Sequence, residues 1–295
     1  MGTNLGFVRI IVFFISVSCF SQIKHPKASP LSKVEQQIGL SKITVEYSRP
    51  SVRGRHVFGP QPDGQKGLVP YGRIWRVGAN ASTKISVNPA MEIGGNLLPK
   101  GTFALYAFPN QEVWEIVLHA NTGHWGDGRE AYNPDDDVFR IEIEPQTIPY
   151  HQENLLIAFD SISHNAAVMD VIWANTKVSI PLRVDTDAQM ELEIARQIRE
   201  NPTAQTYYEA ARYLQEQGKD FERALVFLDK ALQIGGDTYY FHRVKSVVLA
   251  HLGKYENAIA AAEKSLELAK AQNKDEFVRM NQKNIKLWGD LLKSQ

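Results

Sequence analysis

A break at Arg183 constrains this chain more than any other feature. Before it stand short runs rich in β-branched and aromatic residues; after it Ala, Leu, Glu, Gln and Lys dominate. No single regular architecture suits both halves, and 295 residues are enough for two domains. We place an N-terminal domain at 22–183 and a C-terminal one at 184–295.

The first domain reads as strands. Lys42–Tyr47 alternates cleanly, and Lys84–Val87, Thr102–Phe108, Trp114–His119, Val138–Glu144, Leu155–Phe159, Val168–Trp173 and Val178–Leu182 follow. Gly-Gly, Asn-Pro and Pro-x-Gly signals separate them. Residues 23–32 are polar and contain Pro, and read as a linker. Short strands with turns between them predict an all-β sandwich or a jelly-roll-like barrel.

The second domain reads as helices. Asn201 is expected to cap a helix with Pro202 at its first position. Further helices are expected at about 188–200 and 273–293, as end caps. Between them runs a period of 34 residues: Phe221 matches Tyr255, Ala224 matches Ala258, Leu225 matches Ile259 and Leu228 matches Ala262. Small residues at those places let paired helices approach closely. The period and its alanines are similar to tetratricopeptide repeats, and the resemblance implies a protein-interaction surface.

The N-terminus carries a targeting pattern. Arg9 precedes the apolar run Ile10–Phe20, and Cys19-Phe20-Ser21 fits a cleavage site. The run is too short to span a bilayer. Residues 1–21 are therefore expected to be a signal peptide, with export to the periplasm or beyond and no stable membrane insertion after cleavage. Cys19 is the only cysteine, so the mature chain would lack disulfides and thiolate chemistry. Lipidation of Cys19 is the alternative, but Ser16 stands where lipoprotein signals place Leu.

Function points to Tyr47–Asn80. It sets Arg49, Arg53, Arg55, Arg73 and Arg76 among Gly, Pro and aromatics. Arginine is seldom fully buried unless paired, and its fork of donors suits anions and carboxylates. We expect Arg49, Arg55 and Arg76 to converge with Asn80 on one face near Trp125. Trp125 lies in a second loop, His119–Arg140, where an exposed Trp among polar groups suits a sugar or another flat polar ligand.

Ser48-Arg49-Pro50, Gly54-Arg55, Phe58-Gly59, Leu68-Val69-Pro70-Tyr71-Gly72, Trp75-Arg76 and Gly78-Ala79-Asn80 form an ordered series. Leu98-Pro99, Gly101-Thr102-Phe103 and Trp125-Gly126 extend it. This series resembles the family known as domain of unknown function 2911, found in secreted proteins of Gram-negative bacteria. The resemblance covers roughly residues 28–183 and implies no reaction. Pro60–Gly67 reads as an insertion, and Ala81 stands where the resemblance leads us to expect an acidic residue.

Familiar chemistry is missing. Asp135-Asp136-Asp137 lacks calcium-loop spacing and reads as a solvated turn. His119 and His124 do not form a zinc motif. Neither a P-loop, a nucleotide-binding glycine motif nor a nucleophile elbow occurs. No cofactor and no metal is expected. Lys plus Arg equals Asp plus Glu, so no net field attracts nucleic acid. Three functions stay open: a binding or scaffold protein for a small polar ligand or glycan and a protein partner; a hydrolase-like enzyme stabilising an anion through the Arg/Asn cluster; and a purely structural protein.

Overall fold

The structure, a computed structural model, describes residues 25–61, 63–125 and 131–294. The expected signal peptide over 1–21, with Cys19, lies outside them. The described chain divides into two compact units. One comprises most of the region before Arg183, and the other Arg183 onward together with Gln37–Ser41 and Ser163–Ala166.

The first unit is strand-rich, with two antiparallel sheets. The larger runs in the order β1 (Leu31–Ile38), β2 (Ser41–Ser48), β3 (Thr83–Asn88), β6 (Gly101–Phe108), β7 (Trp114–His119) and β8 (Asp137–Ile143). The smaller runs β5 (Asn96–Leu98), β4 (Met91–Ile93), β10 (Ala166–Arg183) and β9 (Gln146–Asp160). Alternation dictates the faces. In β2, Ile43, Val45 and Tyr47 point inward while Lys42 stays in solvent. Val45 pairs with Ile85 and Ile43 with Val87 across to β3. Each such buried aliphatic contributes about 1.5–3 kcal/mol.

Two expectations change. Leu31 and Ser32 belong to β1 rather than to a linker. β1 is an edge strand whose Lys33 and Glu35 face solvent, so only partial burial marks it. The strands expected at Val168–Trp173 and Val178–Leu182 are one strand. The chain passes through Ala174 at φ 52° in a bulge, and Asn175 and Thr176 there imitate a turn.

The second unit is helical: α1 (Thr186–Glu200), α2 (Ala204–Glu216), α3 (Phe221–Gln233), α4 (Tyr239–His251), α5 (Tyr255–Ala271) and α6 (Asp275–Lys293). Thr203, not Asn201, caps α2: its side chain accepts from Thr206 N. Asn201 instead closes α1, its N–H reaching Gln197 O. Pro202 lies between these two caps, so it precedes the helix rather than opening it. α3 and α5 begin 34 residues apart, and Ala224 and Ala258 are completely buried. Tyr208 stacks on Phe241 at 4.4 Å.

Polar contacts tune this unit. Asp187 of α1 accepts from Tyr213 of α2 and from Lys219, and Lys219 first, then Tyr213, holds its carboxyl down at about 2. In α4, Arg243 buries Nε and Nη1 with no hydrogen-bond partner among the described residues, and burial lowers its pKa. None of the described helices is long and apolar enough to cross a membrane.

Candidate functional site

The arginine-rich stretch leaves β2 at Ser48 and is fastened to both sheets. Val52 N donates to Glu153 O at 2.8 Å and Leu155 N to Pro50 O at 3.0 Å, which fixes the first segment on β9. Trp75 exchanges two backbone bonds with Ala107 of β6, at 2.7 and 2.8 Å. Trp75 points inward, as its alternation with Arg76 implies, and stacks on Trp173 of β10 at 5.9 Å. Phe58 sits edge-on to Trp75, to Trp114 of β7 and to Trp173. Gly59 is required beside them: at φ 74° a Cβ would run into the ring of Tyr71.

These ties leave a cavity of about 430 Å³. Four guanidinium-bearing residues line it, Arg53 and Arg55 from one segment, Arg73 and Arg76 from the other. Leu68, Val69, Pro70 and Ile74 supply an apolar wall, and Trp75, Trp173, Pro50, Ala28, Ser29, Ser51, Gly78 and Ala79 complete the lining. Among the described residues, no Asp or Glu lines it, and no His, Lys, Tyr or Cys.

The four arginines are held differently. Arg55 donates from Nε to Val52 O at 2.9 Å and from Nη2 to Ser51 O at 2.6 Å, so its fork is fixed. The side chains of Arg53 and Arg73 make no hydrogen bond or ion pair with any described residue, and both residues are exposed. Arg53 has φ 51° beside Gly54, and its N–H donates to Glu153 Oε1 at 2.8 Å. That bond, ahead of His151, lowers the pKa of Glu153. Val77, next to Arg76, has φ 50°, which is rare for a buried β-branched residue.

Of the five residues singled out from sequence, Arg55 and Arg76 meet in this cavity. Arg49 does not line it; Nε donates to Leu155 O at 2.8 Å and anchors the segment. Asn80 spans Ser29 O and Ser48 Oγ, at 3.2 and 3.1 Å. Trp125 is 71% exposed and pairs through its backbone with Ala81. Arg53 and Arg73 were not among the chosen five. Each adjoins a turn glycine, Gly54 or Gly72, and an arginine at such a turn stays in solvent.

The sequence model of the family described as Protein of unknown function (DUF2911) matches residues 29–182, more than half of the chain. This chain belongs to the DUF2911 family. The match ends within β10, so the DUF2911 region is the strand-rich one and includes every lining residue of the cavity except Ala28. No curated protein matches the chain.

The DUF2911 region holds a second polar cluster. Tyr106 Oη lies 2.8 Å from His124 Nδ1, and His119 Nε2 3.2 Å from Asn133 O. All three rings are buried, and burial raises the Tyr106 pKa. Asp135 and Asp136 lie in a short 3₁₀ turn capped by Asn133. Among the described residues no three His, Cys, Asp or Glu are grouped to hold a metal ion.

Proposed function

We propose that the DUF2911 region is a binding module for a small organic anion, held in the arginine-lined cavity. One observation carries this reading: four arginines line a cavity that has no carboxylate among its described lining residues. Like charges brought together raise the local potential for anions. The volume falls within the range of small-molecule sites. A neutral glycan fits less well, because Trp75 and Trp173 are buried against each other and the exposed Trp125 is not in the lining. Catalysis fits less well too. The described lining offers Ser29 and Ser51 hydroxyls but no general base, and Ser51 donates to Asn154 at 2.6 Å.

A structural reading has its own support in Arg49 and Arg55, which are spent on backbone carbonyls. It does not account for Arg53 and Arg73. The wider reading is of an exported protein whose two sheets form a sandwich and whose helices, similar to tetratricopeptide repeats, engage a protein partner. The leader pattern at 1–21 and the buried alanines at the 34-residue spacing support it.

Thermal denaturation against a panel of organic anions and their neutral amides tests the binding reading. Anions should raise the melting temperature and the amides should not. Equal shifts from both, or none from any anion, contradict it.

A further inference from the structure

We infer that the ligand is a one-ended amphipathic carboxylate, its acid held by Arg73 and its aliphatic body laid against Leu68 and Pro70. This rests on the reading of the cavity as an anion site. Leu68, Val69, Pro70 and Arg73 belong to one segment of the lining. Pro70 O accepts from Arg73 N at 3.4 Å, and Gly72 between them has φ 70°. Such a turn brings its first and last Cα within about 7 Å of each other. Arg73 is thus folded back beside the apolar residues that precede it. The segment is tied along its length: Leu68 N donates to His56 O at 3.0 Å, Val69 N to Val57 O at 2.8 Å and Gly72 N to Pro109 O at 2.9 Å.

Two side chains on this fixed backbone have no partner that explains them. Arg73 is exposed, and its guanidinium makes no hydrogen bond or ion pair with a described residue. Leu68 is 39% exposed although the backbone on both sides of it is bonded. A single exposed Leu is ordinary on a protein surface. Here it stands in the wall of a cavity with Pro70 and Ile74, on the segment that carries the unbonded cation. An inorganic anion would meet the guanidinium and leave these apolar groups against water. A carboxylate on an alkyl chain satisfies both. The planar fork of Arg73 suits the carboxylate, and the chain takes the surface of Leu68 and Pro70 out of water.

The test is calorimetric titration of the full mature chain at low salt with acetate, butanoate, hexanoate and octanoate, and with octanamide as the neutral control. Affinity should rise at least tenfold from acetate to octanoate, and octanamide should bind at least tenfold more weakly than octanoate. Leu68→Ser should cut the rise along the series to less than threefold. Arg73→Gln should weaken octanoate at least fivefold. Both residues are exposed, so the melting temperature of each variant without ligand should stay that of the parent. Acetate binding as tightly as octanoate overturns the apolar body and leaves the anion site standing. So does a failure of octanoate while another anion of the wider panel stabilises the protein. Octanamide matching octanoate, or no binding by any anion, overturns the anion site and this inference with it. A rise that survives Leu68→Ser, or an octanoate affinity unchanged by Arg73→Gln, overturns the assignment to these residues.

Discussion

Thr83 Oγ1 donates to the carbonyl of Val77 at 2.8 Å and so holds a buried β-branched residue at φ 50°. Thr83 N donates to Arg76 O at 3.2 Å as well. The first residue of β3 thus fixes the peptide carbonyl on each side of the Val77 Cα. A conformation this strained persists only where its surroundings hold it. Here the holding residue belongs to a central strand, and the held one adjoins the cavity.

Thr83→Val removes the hydroxyl and keeps the shape. With the Val77 carbonyl left short of its partner, the substitution should destabilise the protein by about 1–3 kcal/mol. Urea denaturation measures this. Unchanged stability would mean that Val77 is held by packing alone.

Arg243 offers a prediction of opposite sign. Its Nε and Nη1 are buried without partners among the described residues, and desolvation lowers its pKa. Replacing a buried charge by an apolar side chain of similar volume is often neutral or stabilising. Arg243→Met should raise stability by about 1–3 kcal/mol, read from denaturant midpoints. A drop of similar size would show that the guanidinium serves the fold.

The same contrast shows what the sequence could and could not reveal. β2 was legible because Ile43, Val45 and Tyr47 alternate with polar neighbours over a buried face. β1 was not, because an edge strand is half solvated and its Lys33 and Glu35 look like linker. The bulge at Ala174 hid the continuity of β10, since a positive φ beside Asn175 and Thr176 has the composition of a turn. α1 and α6 were legible from composition, whereas the capping residue of α2 was misplaced by two positions because Asn201 and Thr203 are both good caps. At the site, the stretch was recognisable but not the assignment of each arginine. Arg49 and Arg53 differ in use because one meets the Leu155 carbonyl on β9 and the other sits in a turn. Pairings of such long sequence separation leave no local trace.

Asp187 makes a pH-dependent contribution in the helical unit. Lys219 and Tyr213 hold its carboxyl down at about 2, below the ordinary 3.8. A depressed folded-state pKa stabilises fully above the unfolded value and is lost as pH falls towards the folded one. Asp187→Asn should therefore be less stable than the parent at pH 5–7. The difference should shrink between about pH 4 and pH 2. Partial exposure keeps it small. Denaturant midpoints at pH 7, 4 and 3 measure it. A difference that grows on acidification would contradict the assignment.

The central claim is that the arginine-lined cavity takes an organic anion, and localising a bound probe tests it most directly. Crystals soaked in 5-bromobenzene-1,3-dicarboxylate, with data collected at the bromine absorption edge, report the ligand position without reference to affinity or stability. The account predicts an anomalous peak inside the cavity bounded by Arg53, Arg55, Arg73 and Arg76, absent when the corresponding diamide is soaked. An empty cavity, or an equal peak from the diamide, would contradict it.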